Sequence, residues 1–251
     1  MTKIIVVGIN GKMGRAVVAE AESCPDVEIV AGVDVTASNA TVPVFDSLAN
    51  CTVKADVIVD FSRPSSLASI LDYAGKYGAS AVLCTTGYSE DDLQKISAAQ
   101  KDVAIFRSAN MSLGVNVLCH LARRAAGLLN GYDVEIVEAH HRFKVDAPSG
   151  TALMLADEIN DAMGGTMNIV KDRSASGKRQ DNEIGIQSIR GGNIVGEHDV
   201  MFIGSEEIVT LSHHANSRSV FAKGALEAAR FVAGKAPGHY DMNDLIISKG
   251  I

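Results

Sequence analysis

The chain reads as an α/β protein: a doubly wound parallel sheet, followed by a second α+β domain that contains a mostly antiparallel sheet. Three observations predict this. Through the first hundred residues, short runs rich in Val and Ile alternate with segments of helical periodicity. A glycine-rich turn follows the first of those runs. Beyond about Asn110 the alternation stops, and strand-like runs succeed one another through Gly-containing turns.

Taken in order, residues 4–7, 27–33, 57–61, 81–84 and 103–106 are the apolar runs. They are apolar without alternation, as parallel strands buried on both faces must be. Ser89-Glu90-Asp91-Asp92 is a capping-box-like start for a helix carrying Leu93 and Ile96. A long helix then places Val115, Leu118, Leu121, Ala122, Ala125 and Leu128 on one face, and a strand over 132–139 follows it. The next helix spans 151–163 and is stopped by Gly164-Gly165. The polar stretch 171–180 predicts a mobile loop. Strands are predicted over 184–190, 194–196, 200–203 and 208–211, the last two forming a hairpin around Gly204-Ser205-Glu206-Glu207. The final helix, 219–233, is closed by Gly234 and followed by Pro237, and its pattern does not say on which domain it packs.

Composition narrows the function. Of 251 residues, 47% are hydrophobic and 21% charged, a balance that excludes a disordered chain. A formal charge of −7, aromatics at 5% and no Trp leave neither a phosphate-binding face nor a base-stacking platform for nucleic acid. Cys24, Cys51, Cys84 and Cys119 are far apart and form no metal spacing, which suits reduced thiols. The run 4–7 is too short for a signal-peptide core, and no apolar stretch reaches the ~18–20 residues that span a bilayer. The expectation is a cytoplasmic protein, in which any anionic ligand must meet a local basic cluster.

The turn is Gly8-Ile9-Asn10-Gly11-Lys12-Met13-Gly14, between the first strand and the first helix. Glycine there lets the backbone approach a pyrophosphate whose charge the helix N-terminus meets. Such a turn also uses glycine for geometry alone, but Asp34 closes the second strand, where a carboxylate accepts both ribose hydroxyls of an adenosine. The reading is a Rossmann-like dinucleotide site. A carboxylate repels a 2′-phosphate, and Val35-Thr36 supply no Arg, so NADH is favoured with tolerance for NADPH; Lys12 is the one cation in the turn.

The basic cluster is Glu138-Ala139-His140-His141-Arg142-Phe143-Lys144-Val145-Asp146-Ala147-Pro148-Ser149-Gly150-Thr151-Ala152. It leaves a strand, turns at Pro148 and enters a helix at Ser149-Gly150-Thr151, whose N-terminus attracts a carboxylate. Cations opposite a helix N-terminus suit a small di-anion. His140 can supply a proton near neutral pH, and Lys144 can fix or polarise an anionic group. A zinc set of Glu138, His140 and His141 fails on geometry, since adjacent residues rarely close a ligand set, so no metal is expected. His213-His214 reads as structural or peripheral.

This fifteen-residue stretch resembles the signature of the dihydrodipicolinate reductase (4-hydroxy-tetrahydrodipicolinate reductase) family. So do Gly8-x-x-Gly11-x-Met13-Gly14-Arg15, Asp60-Phe61-Ser62, Thr85-Thr86-Gly87, Ala109-Asn110-Met111-Ser112, Gly196-Glu197-His198, His214-Ala215-Asn216-Ser217-Arg218 and Tyr240-Asp241-Met242, in the family's order. The resemblance implies reduction by NADH or NADPH of a cyclic dicarboxylate imine, made from pyruvate and aspartate semialdehyde, on the diaminopimelate route to lysine. On matching positions, His140 is the general acid and Lys144 its cationic partner. His141 and the N–H groups of Gly150 and Thr151 hold substrate carboxylate. Gly8, Ile9, Asn10, Gly11, Lys12 and Met13 line the cofactor groove with Asp34, and Cys84, Thr85, Thr86, Ser108, Ala109, Asn110 and Met111 complete it. The resemblance also implies that the last helix returns to the nucleotide domain, giving 1–111 with 218–251 and a substrate and oligomerisation domain over 112–217, in a homotetramer. Two departures are Asp34-Val35, where some members carry an acidic residue followed by Arg, and Cys84, where others have Gly.

A dinucleotide domain joined to a substrate domain leads to the expectation of closure at hinges near 110–114 and 217–219. Two rival readings are a non-catalytic dinucleotide sensor, which has no use for His140 and Lys144, and a dehydrogenase of another small amino or keto acid.

Overall fold

The computed structural model describes residues 1–36 and 41–250. The chain forms two compact units, Met1–Leu113 with Arg218–Ile251, and Gly114–Ser217.

In the first unit, β1 (Thr2–Val7), α1 (Lys12–Ala21), β2 (Val27–Val33), β3 (Val44–Phe45), β4 (Val57–Asp60), α2 (Leu67–Tyr77), β5 (Ser80–Leu83), α3 (Glu90–Ala99) and β6 (Ala104–Phe106) alternate as expected. The sheet is completed by β12 (Gly238–Tyr240) in the order β12-β6-β5-β4-β1-β2-β3, and every ladder is parallel. Successive strand residues point to opposite faces. Ile4, Val6, Val57 and Val59 therefore pack with Val17 of α1 on one side, and Ile5, Val7, Ile58 and Leu83 with Ile70 of α2 on the other. This double burial makes the strands continuous apolar runs in the sequence. The capping box at α3 forms as predicted: Asp92 N–H donates to Ser89 Oγ (3.2 Å) and Ser89 N–H to Asp92 Oδ2 (3.1 Å).

The second unit begins with α4 (Leu113–Leu128), β7 (Asp133–His140), α5 (Gly150–Ala162), β8 (Asn168–Val170) and α6 (Arg173–Ser176). It continues with β9 (Glu183–Arg190), β10 (Gly196–Ile203) and β11 (Ile208–Ala215). The strand order is β11-β10-β7-β9-β8. The two long ladders of β10 are antiparallel, whereas β7–β9 and the short β8–β9 are parallel, so the sheet is mixed. β9 can run parallel to β7 because the chain passes through α5, β8 and α6 before reaching it. Of the predicted run 194–196 only Gly196 is strand; it opens β10, which continues through the polar residues 197–199 into 200–203. Leu118 and Ala122 of α4 and Leu155 and Ile159 of α5 cover one sheet face, meeting Val134, Ile136, Ile184, Val200 and Phe202.

The stretch 171–180 departs from the expected mobile loop. It contains α6, and its arginines are held: Arg173 pairs with Glu183 (2.7 Å), while Arg179 pairs with Glu135 and Asp133 and donates to the Glu183 carbonyl (2.7 Å). Charges that look solvating in sequence are here spent on ion pairs.

The chain then re-enters the first unit through α7 (Ser219–Val232), β12 (Gly238–Tyr240) and α8 (Met242–Ser248). Ala222, Ala225, Leu226, Ala229 and Val232 of α7 are buried in the core that contains β1 and β4. Ser80 Oγ donates to the Val232 carbonyl (3.0 Å). The elements β12 and α8 were missed by sequence reading because three and seven residues carry too little periodicity. No helix among the described residues is long and apolar enough to cross a membrane.

On α7, a Cβ added at Gly224 would fall 1.6 Å from the Met111 carbonyl oxygen. On an exposed helix Gly→Ala stabilises by about 1 kcal/mol. Here Gly224→Ala is expected to destabilise by about 1–3 kcal/mol, read as a lower midpoint in urea.

Candidate active site

Each unit gathers one cluster of polar and ionisable side chains around a candidate site. In the first unit, β1 is flanked by β4 on one side and β2 on the other, so the crossovers diverge at its carboxyl end and open a crevice there. The glycine turn occupies that position. Gly8 has φ +80°, and a Cβ on it would lie 2.7 Å from the Phe61 carbonyl oxygen, so only glycine fits. Gly8, Asn10, Gly11 and Asp34 line a cavity of about 510 Å³. The Asp34 carboxylate accepts the Asn10 N–H (3.0 Å), the Thr36 N–H (3.0 Å) and the Thr36 hydroxyl (2.8 Å). Burial alone would raise its pKa; these bonds and the charge of Arg63 outweigh it and hold the carboxyl below its usual range. Arg63 lines the same cavity and was missed by sequence reading, since only the β4–β1 pairing brings it near Asp34.

The other predicted nucleotide residues take different places. Ile9 is buried under the turn, and Lys12 and Met13 open α1. Cys84, Thr85 and Thr86 leave the carboxyl end of β5, and Ser108, Ala109, Asn110 and Met111 follow β6; none of them lines the cavity around Asp34. Cys84 sits beside the buried Asp60, and burial pushes its thiol well above the ordinary range. Asp60 accepts from Ser62 Oγ (2.5 Å) and Tyr88 Oη (3.2 Å), and its burial raises the carboxyl despite those bonds.

In the second unit, β7 ends at His140, and the Glu138 side chain, two residues earlier on the same face, is wholly buried. Both oxygens of its carboxylate are hydrogen-bonded. Oε1 accepts from Arg190 Nη2 (2.7 Å) and the Ser149 N–H (3.1 Å); Oε2 accepts from Arg190 Nη1 (2.8 Å) and lies 2.6 Å from His140 Nδ1. Burial would raise the Glu138 carboxyl, but bonds from Arg190, Ser188 and His140 bring it down to about 2. An ionised acceptor makes Nδ1 the donor. His140 is lowered from its ordinary value, first by burial and then by the charges of Lys144 and Arg190, with Glu138 pulling the other way.

The remaining predicted residues surround this pair. Lys144 Nζ pairs with Asp146 Oδ1 (2.8 Å), and the Lys144 N–H donates to the His141 carbonyl (3.0 Å). His141 is half-buried beside Phe143. Gly150 and Thr151 begin α5, capped by Ser149, whose Oγ accepts the Ala152 N–H (3.2 Å). That hydroxyl also meets His198 Nε2 at 3.1 Å, and the His198 ring stands edge-on to His140 with centroids 5.2 Å apart. The arrangement is an oriented imidazole, a nearby ammonium and a helix N-terminus. Such a set can protonate a substrate and hold its carboxylates. Arg190 and His198 escaped the sequence reading because they reach Glu138 and His140 only through the pairing of β9 and β10 with β7.

Burial, reinforced by the charge of His140, lowers His198 from 6.5 to about 4. A folded-state pKa depressed in this way favours folding above about 6.5, and that stability is lost as pH falls through about 4. His140 and His213 shift in the same direction. The thermal midpoint is expected to drop between pH 6.5 and 4, and less steeply in His198→Gln; equal slopes would show that His198 is protonated in the folded protein.

Comparison with known proteins places these residues in context. The family model "Dihydrodipicolinate reductase, N-terminus" matches residues 2–111, and "Dihydrodipicolinate reductase, C-terminus" matches 114–246. The 4-hydroxy-tetrahydrodipicolinate reductase of Caldanaerobacter subterraneus subsp. tengcongensis is 48% identical over 247 residues, 98% of each chain. That of Clostridium tetani is 48% identical over 250 residues, 99% of this chain and 98% of its own. A solved structure of dipicolinate-bound dihydrodipicolinate reductase from Paenisporosarcina sp. TG-14 superposes with a TM-score of 0.82 at 25% identity, covering 97% of this chain and 99% of that one. With both halves matched and close similarity along nearly the full length, the chain belongs to the dihydrodipicolinate reductase family of oxidoreductases.

Proposed function

We propose that this chain reduces 4-hydroxy-tetrahydrodipicolinate to tetrahydrodipicolinate with NADH or NADPH, on the diaminopimelate route to lysine in the cytoplasm. The observation that carries the proposal is the His140 imidazole, fixed through Nδ1 by a buried carboxylate, with Lys144 close by and the α5 N-terminus following. The dipicolinate held by the Paenisporosarcina relative is a planar cyclic dicarboxylate, the class of ligand this cluster suits.

The nucleotide, when bound, supplies the hydride. Its pyrophosphate fits the turn, where a Cβ at Gly8 would fill the cradle, and its adenosine ribose fits the carboxylate of Asp34. The substrate loses water to give a conjugated imine; one hydride and one proton then enter the ring, which balances the reduction. His140 delivers the proton from Nε2. Lys144 exchanges Asp146 for an anionic group of the substrate, and His141 with the amides of Gly150 and Thr151 holds carboxylate. Gly11 to Met13, Cys84 to Thr86 and Ser108 to Met111 form the rest of the nucleotide groove.

NADH is the favoured cofactor because Asp34 repels a 2′-phosphate, while Arg63 in the same cavity moderates that repulsion and allows NADPH. The active species is a homotetramer assembled on the second unit. The sheet face opposite α4 and α5 supports this, carrying Val137, Met201 and Thr210 away from the helices.

The decisive assay supplies the imine precursor made by the synthase from pyruvate and aspartate semialdehyde and follows NADH absorbance. Turnover is expected, and His140→Gln or Lys144→Met is expected to lower it by about 10²–10⁴. Unchanged turnover in both variants removes them from the mechanism. Calorimetry is expected to show a lower dissociation constant for NADH than for NADPH; the reverse order would overturn the assignment made to Asp34.

A further inference from the structure

We propose that Glu138 and Arg190 are the positioning residues of the reduction: Glu138 fixes the His140 ring so that Nε2 delivers the proton, and Arg190 holds Glu138 while tying it to the loop that carries Lys144. The inference rests on the reading of His140 as proton donor and extends it to two residues that need not touch substrate.

Nδ1 of His140 is 2.6 Å from an ionised carboxylate oxygen and must donate to it. The neutral ring therefore keeps its proton on Nδ1 and leaves Nε2 to gain and lose the transferable one. Nε2 has no hydrogen-bond partner among the described residues. Gly196 of β10 lies beside it, where even a Cβ would come within 3.1 Å.

Four ionisable groups face His140: Glu138 on its own strand, Lys144 on the following loop, Arg190 on β9 and His198 on β10. Lys144 and Arg190 are cations and oppose protonation, as does burial, while His198 stays neutral. Glu138 is the only anion of the four. Without it, the imidazolium would face two cations in a dry site and the donor would be unloaded at neutral pH.

The two terminal nitrogens of Arg190 grip both oxygens of Glu138, which keeps that carboxylate from taking the His140 proton for itself. The same Nη2 donates to the Asp146 carbonyl (2.8 Å), and the Asp146 carboxylate holds Lys144 (2.8 Å). One guanidinium thus aligns the histidine through Glu138 and the lysine loop through Asp146.

The test combines a measurement on the unaltered protein with two variants. Nitrogen-15 NMR of the unaltered protein is expected to show the neutral His140 ring protonated at Nδ1; protonation at Nε2 overturns the proposal whatever the variants do. Glu138→Gln keeps the shape and removes the charge. It is expected to lower kcat by about 10- to 100-fold with little change in KM, and to move the basic limb of the pH–kcat profile to lower pH by a unit or more. Arg190→Lys keeps a charge but loses the two-pronged grip and the Asp146 contact, and is expected to lower kcat and raise KM together. If Glu138→Gln leaves kcat and the basic limb unchanged, the proposal fails. Loss of turnover in His140→Gln alongside that result would leave the proposed reaction standing, whereas no imine reduction by the unaltered protein would sink the reaction and not the ring assignment.

Discussion

Burying a carboxylate costs several kcal/mol unless its oxygens are met, and the second unit is arranged around meeting those of Glu138. Each of its bonds comes from a different part of the chain: Arg190 from β9, Ser149 from the cap of α5, and His140 from its own strand. For Arg190 to arrive there, β9 must pair in parallel with β7, which places His140 opposite Arg190 and Glu138 opposite Ser188. The parallel pairing in turn requires the crossing that starts through α5, and α5 begins at Gly150 and Thr151, the residues proposed to hold a substrate carboxylate. Removing one partner of such a group is far worse than replacing the whole set, so chemistry and topology are hard to vary separately here.

The first unit solves a different problem. Its strands are apolar runs with Lys3 and Glu28 only near the starts of β1 and β2, and its cavity is formed where the sheet's connections diverge. What it offers a nucleotide is mostly backbone: a turn stripped of side chain at Gly8 and the start of α1. Asp34 and Arg63 bring opposite charges to the same cavity. On the proposed reading, selectivity between nucleotides is a local electrostatic balance between those two charges, separable from the affinity of the turn.

How far the molecule could be read from its residues follows the range of the interactions concerned. Runs such as 4–7 and 57–60 were legible because double burial demands an unbroken apolar string, and that demand is local. The cluster from His140 to Lys144 was legible because its parts lie within one turn of chain. Glu138 was visible only as a member of a rejected metal set, because its partner Arg190 lies 52 residues away and register is not written in composition. The stretch holding Arg173 and Arg179 read as a mobile loop for the same reason; their partners Glu135 and Glu183 are found only after the sheet forms. The crossover that makes the second sheet mixed was hidden because β8 is three residues long.

The re-entry of the chain at Arg218 has a consequence for the order in which the protein is made. Residues 114–217 leave the ribosome as a contiguous block and hold their own core. The first unit waits: α7 supplies Ala222, Leu226 and Val232 to its interior, and β12 covers the exposed edge of β6 only when the final strand has emerged. During synthesis the older segment thus remains an open parallel sheet with an unpaired edge while the younger one folds, an aggregation-prone interval. Loss of the last three elements through a premature stop codon would therefore strike the unit synthesised first, at the opposite end of the message.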